Sequence, residues 1–145
     1  MDIYDDVGTY AENTWCKGCG NFGIERAMKK VIKELEDEGI SRKNLAISAG
    51  IGCHVKIFDY LRLHGLYSLH GRATPTVEGI KLGNPDLRVI SFHGDGDALG
   101  EGIAHTIFAA KRNFDMTLML HDNGRYALTT GQFTPTTEKG IKTPS

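Results

Sequence analysis

The chain's 145 residues fit one domain and suffice to bury a core without disulfides; 40% hydrophobic and 24% charged residues are ordinary for a globular protein. A formal net charge of -1 supplies no basic excess for nucleic-acid phosphates, and no apolar run approaches the roughly 20 residues of a membrane span. The acidic start Met1-Asp2-Ile3-Tyr4-Asp5-Asp6 lacks the basic and apolar regions of a signal peptide, so a cytoplasmic protein with neither a nucleic-acid nor a membrane partner is predicted.

Residues 1–20 read as irregular and end in Trp15-Cys16-Lys17-Gly18-Cys19-Gly20. Asn21 is placed to cap a helix running to about Glu38. Its apolar residues Ile24, Ala27, Met28, Val31, Ile32 and Leu35 recur three or four apart and give one buried face, and Gly39 stops it. Glu34, Glu36, Asp37 and Glu38 read as a solvated face. Leu45–Ser48 is a short buried strand, followed at once by Gly50-Ile51-Gly52-Cys53-His54. A second helix is expected over 55–63 and a weak strand over Leu66–Leu69. His70-Gly71-Arg72 then opens a loop before a helix over 74–83.

Leu87–His93 is the clearest strand, broken at Gly94-Asp95-Gly96-Asp97, and Ala98–Arg112 reads as a helix. Thr117–His121 is the next strand and ends in Asp122-Asn123-Gly124-Arg125-Tyr126. The tail from Gln132 is rich in Thr, Pro, Lys and Gly and stops mid-loop at Thr143-Pro144-Ser145, which reads as a truncation. Strands alternating with helices predict a single α/β domain over 1–145, a mostly parallel sheet flanked by helices.

Ligands of open α/β sheets bind at the carboxyl ends of strands. Glycine-rich segments stand at three of those ends, after Ser48, His93 and His121, in a chain with 18 glycines. The glycines Gly94 and Gly96 let a turn present backbone N–H groups to an anion at a helix N-terminus. An acidic residue among them would repel a phosphate unless a cation lay between, so Asp95 implies a divalent metal such as Mg²⁺ bridging to phosphate oxygens. The Asn123 amide oxygen and a nearby carbonyl, one helix and one strand later, are placed to complete the protein's ligands. Alone, Gly-Asp-Gly reads more simply as a tight turn; the Asn at the next strand end favours the ligand.

The odd count of three cysteines argues against a closed disulfide framework. Cys16 and Cys19 form a CxxC and Cys53 follows, a spacing that suits zinc, an iron–sulfur cluster or a redox dithiol. His54 or His70 are candidates for a fourth zinc ligand.

The run Gly94-Asp95-Gly96-Asp97, then Asn113, then Asp122-Asn123-Gly124-Arg125-Tyr126-Ala127-Leu128-Thr129-Thr130-Gly131-Gln132, then Pro135-Thr136-Thr137 resembles the β subunit of 2-oxoacid:ferredoxin oxidoreductases. The upstream Trp15–Gly20, Gly50–Cys53 and Leu69-His70-Gly71-Arg72-Ala73 match that family in order and spacing. The resemblance implies a thiamine diphosphate-binding fold. Asp95, Asn123 and the Arg125 carbonyl would hold Mg²⁺; Ile51, Gly52, Cys53, His54, His70 and Gly71 would line the cofactor. Gly94, Gly96, Asp97, Tyr126, Ala127 and Leu128 would meet its diphosphate or thiazolium side. Lys56 matches a position linked to coenzyme A, and His70 is the histidine with a functional role.

The same resemblance makes Cys16, Cys19 and Cys53, in a loop at about 12–20 and at the first strand end, ligands of a [4Fe–4S] cluster. It implies oxidative decarboxylation of a 2-oxoacid such as pyruvate or 2-oxoglutarate, with coenzyme A taking the acyl group and ferredoxin the electrons. An α subunit would supply the activating glutamate, with γ and δ ferredoxin-like subunits as further partners, so the chain alone would be inactive. Three departures stand out. No fourth cysteine follows Cys53, His54 stands where Ser is common, and Thr130 where Lys is common.

Two other readings remain at the sequence level: a non-redox thiamine diphosphate decarboxylase or synthase subunit, and a zinc-binding interaction module. His93 and His121, at the ends of buried strands, read as hydrogen-bonded structural histidines. His105 is expected against the sheet or a partner, and His64 at the surface. Trp15 is expected either to shield a cluster or to anchor packing.

Overall fold

The computed structural model describes residues 6–144; the acidic stretch Met1–Asp5 lies outside them. Helix α1 spans Asn21–Asp37. It closes as the sequence indicates: Gly39 turns left-handed at φ 87, its N–H reaches Glu36 O, and Ile40 N–H reaches Leu35 O. Its buried stripe is narrower than the spacing suggests. Met28 and Ile32 are buried and Ile24 and Leu35 half-buried, whereas Ala27 and Val31 face outward. Asn21 does not cap the helix. Gly20 holds that position without a side-chain bond, and the Asn21 side chain is committed to His121 instead.

Strand β1 (Leu45–Ala49) is buried at all five residues. It lies between β2 (His64–Tyr67) and β3 (Arg88–Gly94), and β4 (Thr117–His121) adds to β3, giving the order β2-β1-β3-β4. Every pairing is parallel, with Ala49 beside Phe92 and Gly94 beside His121. The expected α/β architecture with a parallel sheet is present. β1 alternates between two cores. Leu45, Ile47 and Ala49 join Met28, Ile32, Ile57, Tyr60 and Phe92 on the α1 side. Ala46 joins Val77 and Val89 beneath helix α3 (Ala73–Gly83) on the other. Burial on both faces is why this strand reads as an unbroken apolar run.

The helix expected over 55–63 is shorter: a 3₁₀ turn at Cys53–Lys56 runs into α2 (Ile57–Tyr60). Leu61 is extended because it pairs with Gly8, and Arg62 N–H bonds Val7 O, which straps the N-terminal segment to the domain. The weak strand starts earlier than expected, at His64, an exposed residue as anticipated. The helix after β3 begins as a π-helical turn (Gly96–Glu101), breaks at Gly102 and resumes as α4 (Ile103–Lys111). The half-buried His105, expected against the sheet or a partner, has its ring on the Arg72 guanidinium. The tail carries a small antiparallel pair, β5 (Arg125–Tyr126) with β6 (Gln132–Phe133). No helix among the described residues is long and apolar enough to cross a membrane.

Candidate functional site

The carboxyl ends of β1, β3 and β4 open into one cavity of about 390 Å³, within the size range of small-molecule sites. All three glycine-rich segments reach it. Ile51, Gly52, Cys53 and His54 come from the end of β1, Gly94 to Asp97 from β3, and Asp122, Asn123, Arg125, Tyr126, Ala127 and Leu128 from β4 onward. His70 closes one side, and Cys16 and Cys19 the other. Of the residues singled out from sequence, Lys56 and Gly71 alone lie outside the wall. Lys56 Nζ donates to Thr14 O at 3.1 Å, and Gly71 stands behind the wall with its N–H on Asp97.

Asp95 and Asn123 converge. Asp95 is 1% exposed, and the Asn123 N–H approaches its Oδ1 at 3.4 Å. The parallel β3–β4 pairing brings together residues a helix and a strand apart. Asn123 Oδ1 accepts the Arg125 N–H at 3.0 Å, which folds the turn so that both residues face the cavity. Thr136 Oγ1 lies 2.8 Å from Asp95 Oδ2 and 2.9 Å from Asp122 Oδ1. One hydroxyl proton thus faces two carboxylates. A carboxylate pair with a single shared donor, next to an amide oxygen, is a hard-oxygen set suited to Mg²⁺. Among the described residues no group of three or more His, Cys, Asp or Glu side chains is placed to hold a metal ion by itself.

Asp97 is equally buried, and both of its carboxylate oxygens are engaged. Oδ1 accepts the N–H groups of Ile51 (3.0 Å) and Gly71 (2.7 Å), and Oδ2 accepts His93 Nδ1 (2.8 Å). Burial pushes this carboxyl up, but the bonds from His93, Gly71 and Ile51 outweigh it and hold it below the usual range. His54 and His121 line the cavity as neutral rings: burial holds His54 down to about 3 and His121 down to about 4. Both carry a buried Nε2 without a partner, and such orphaned nitrogens suit a bound polar group. The His121 ring is fixed at Nδ1 by Asn21 Oδ1 at 2.9 Å.

Tyr126 seats in a notch cut by glycines. A Cβ at Gly96 or Gly100 would overlap its ring or hydroxyl, and that hydroxyl donates to Gly96 O at 3.2 Å. Burial raises its phenol above the ordinary value. Trp15 is a packing anchor. It is 6% exposed, edge-on to Phe22 and Tyr60, and its indole N–H donates to Cys53 O at 2.6 Å. The three thiols are free; Cys16 is exposed, Cys19 and Cys53 half-buried, and burial raises Cys53 above the usual thiol value.

Sequence reading missed Asn21, Ile24, Leu120 and Thr129 on the wall and Thr136 behind it. Thr136 stood in a motif with no role assigned. Asn21 looked like a helix cap, and its true partner lies 100 residues away.

Residues 50–145 match the family described as thiamine pyrophosphate enzyme, C-terminal TPP binding domain. A 2-oxoacid:ferredoxin oxidoreductase β subunit from a Sulfolobus species is 50% identical over 135 residues, 92% of this chain and 43% of that protein. The 2-oxoglutarate oxidoreductase subunit KorB of Mycobacterium tuberculosis is 41% identical over 97% of this chain and 37% of its own length. A solved 2-oxoglutarate:ferredoxin oxidoreductase from Magnetococcus marinus, with 2-oxoglutarate, coenzyme A and succinyl-CoA bound, superposes with a TM-score of 0.91. It is 35% identical and covers 99% of this chain and 49% of that one. The chain thus spans less than half the length of these relatives. It belongs to the thiamine pyrophosphate enzymes, whose C-terminal cofactor-binding domain it contains, and among them it is similar to 2-oxoacid:ferredoxin oxidoreductase β subunits.

Proposed function

We propose that this chain holds the Mg²⁺–diphosphate half of thiamine diphosphate, as the β subunit of a cytoplasmic 2-oxoacid:ferredoxin oxidoreductase. The observation that carries the reading is the meeting of buried Asp95 with Asn123 and Asp122 at the strand-end cavity, where one Thr136 hydroxyl serves two carboxylates. Asp95, the Asn123 amide oxygen and the Arg125 carbonyl would hold the cation. Ile51 to His54, His70, Gly94, Gly96, Asp97, Tyr126, Ala127 and Leu128 would line the cofactor, with Gly71 behind them.

When bound, the thiazolium supplies an electron sink for decarboxylation of a 2-oxoacid. The chain's own part is positional. Backbone N–H groups at the Gly94–Gly96 turn would meet the diphosphate, the Tyr126 hydroxyl bonds that turn at Gly96 O, and Ile51 and Leu128 give the wall an apolar edge. His70, which lines the cavity with its Nε2 3.6 Å from Asp97, would be the functional histidine in this reading.

Cys16, Cys19 and Cys53 line the same cavity and would supply three ligands to a [4Fe–4S] cluster. The sequence has three cysteines, so a fourth ligand must come from elsewhere. Lys56, outside the wall, is assigned to coenzyme A on resemblance alone. An α subunit, γ and δ ferredoxin-like subunits and ferredoxin are the partners in this reading.

The test is titration of the anaerobically purified chain with thiamine diphosphate, with Mg²⁺ and with a chelator, alongside iron, sulfide and zinc analysis. Saturable binding that needs Mg²⁺, with iron and sulfide present, is expected. Metal-dependent binding without iron would favour a non-redox thiamine diphosphate enzyme. Zinc with no cofactor binding would sink the reading. The chain by itself is expected to reduce no ferredoxin with pyruvate or 2-oxoglutarate.

A further inference from the structure

We propose that Asp97 is a positioning residue: its carboxylate gathers the turn after β1 and the turn before α3 onto the end of β3, and so sets the wall of the cavity. As far as that wall is taken to face thiamine diphosphate, this rests on the reading above.

Three segments meet at this one side chain, and a fourth backs one of them. The turn after β1 delivers the Ile51 N–H and the turn before α3 delivers the Gly71 N–H, both to Oδ1. β3 delivers His93 to Oδ2, and α3 holds the far side of that ring through Thr74 Oγ1, 3.1 Å from His93 Nε2. A carboxylate can only accept, so each of the three contacts is a donation to a buried anion, the stronger class of hydrogen bond. The imidazoles of His54 and His70 stand 3.6 Å away, beyond hydrogen-bond length.

The neighbours are shaped to admit the contact. A Cβ at Gly50 would overlap the Asp97 carboxylate itself. Gly71 is left-handed at φ 71, and a Cβ there would overlap the backbone of Glu101 and Gly102. Neither turn belongs to the two apolar clusters; the Gly50 N–H bonds Phe92 O at 3.0 Å and Gly71 lies close against Gly102, and beyond these the carboxylate supplies the bonds that hold Ile51 and Gly71 to the end of β3. The turns carry Ile51, Gly52, Cys53 and His70, one side of the cavity. Asp97 itself lines the cavity, but both of its oxygens accept from the chain and its charge repels phosphate, so the carboxylate acts by holding the wall and not as a ligand.

Asp97→Asn preserves shape but sets an NH₂ against one of three donors. The intact chain is compared with this variant by amide hydrogen exchange, by thiamine diphosphate–Mg²⁺ titration read on Trp15, the one tryptophan, and by Tm. Expected are Ile51 and Gly71 amides exchanging at least tenfold faster, unchanged exchange in the middle of α1, and cofactor affinity at least tenfold weaker. Exchange unchanged at those two amides overturns the proposal. So does exchange raised evenly over the domain in step with Tm, which is what a merely structural role would give. If wild type fails to bind the cofactor, the functional reading falls, and the two amides still decide whether Asp97 holds the turns. If Asp97→Asn does not fold, Thr74→Val loosens His93 with the charge left in place and is read on the same amides by the same criteria.

Discussion

Thr136 Oγ1 stands 2.8 Å from Asp95 Oδ2, across 41 residues of sequence, and 2.9 Å from Asp122 Oδ1. A hydroxyl has one proton, so two carboxylates compete for it. Asp122 is exposed and also accepts the Gly124 N–H at 3.0 Å, so the shortage falls on buried Asp95, where a divalent cation would relieve it.

Asp95→Asn should therefore remove the Mg²⁺ dependence of thiamine diphosphate binding. We expect affinity at saturating Mg²⁺ to fall by about 100-fold, or about 2.8 kcal/mol. Thr136→Val should weaken binding by only about tenfold, because it leaves both carboxylates in place. Calorimetric titration with and without chelator checks both. Asp95→Asn with undiminished Mg²⁺ dependence would remove Asp95 from the metal site.

The notch that seats Tyr126 makes a second prediction. Gly100→Ala puts a methyl on the phenol oxygen, and over-packing of this kind costs about 1–3 kcal/mol. The colliding atom is the hydroxyl, so Tyr126→Phe in the same chain should recover part of the loss. Urea unfolding of the two single variants and the double variant measures the coupling. Strictly additive losses would mean that the ring does not sit in the notch.

How far the fold and site were legible follows from where the signals lie. β1 and β3 were readable because buried parallel strands are mostly apolar runs, β4 because Leu118-Met119-Leu120 is apolar although it is largely not buried, and all three because glycines cluster at their ends. Asp95 and Asn123 were readable as a pair because a βαβ unit sets their strands side by side. The break at Gly102 was not. An i to i+5 turn has no spacing signature of its own, and the break depends on Gly102 packing against Gly71, since a Cβ there would overlap Gly71 O. The outward turn of Val31 was hidden too, since α1 buries only the stripe that α2 and β1 can cover. Asp97 sat in a recognisable motif, but its three donors come from segments that no local pattern connects.

The clasp between the N-terminal segment and α1 sets a pH dependence remote from the cavity. Arg42 donates to both Glu36 oxygens, at 2.6 and 2.8 Å, and also to Asp6. The bond from Arg42 holds the Glu36 carboxyl below its ordinary value, and Lys33 does the same for Asp6. A folded-state value below the unfolded one means the stabilisation is present above the unfolded pKa of about 4.3 and is lost as pH falls through the folded value. Glu36→Gln should then cost about 0.5–1 kcal/mol at pH 7, the range for a half-exposed ion pair, and nothing once pH lies below the folded value. Unfolding of wild type and variant between pH 7 and pH 2 tests this; a gap that persists in acid would point to lost packing.

The bond between Asn21 and His121 ties the start of α1 to the end of β4 and so sets the Cys16–Cys19 loop against the cavity. Burial keeps His121 neutral, with a value near 4, so its ring carries one N–H. With Nε2 buried and unpartnered, a donor at Nδ1 facing Asn21 Oδ1 leaves the Nε2 lone pair free on the cavity side. Asn21→Ala strips the ring's partner and should cost about 1–3 kcal/mol, the penalty of an unsatisfied buried group. Asn21→Asp keeps an acceptor and adds negative charge in the first turn of a helix, so it should hold stability within about 0.5 kcal/mol of wild type. Thermal unfolding at pH 7 separates the two variants. If Asn21→Asp loses as much as Asn21→Ala, the ring accepts from Asn21 and the free nitrogen is a donor. His121 would then offer the cavity a proton in place of a lone pair.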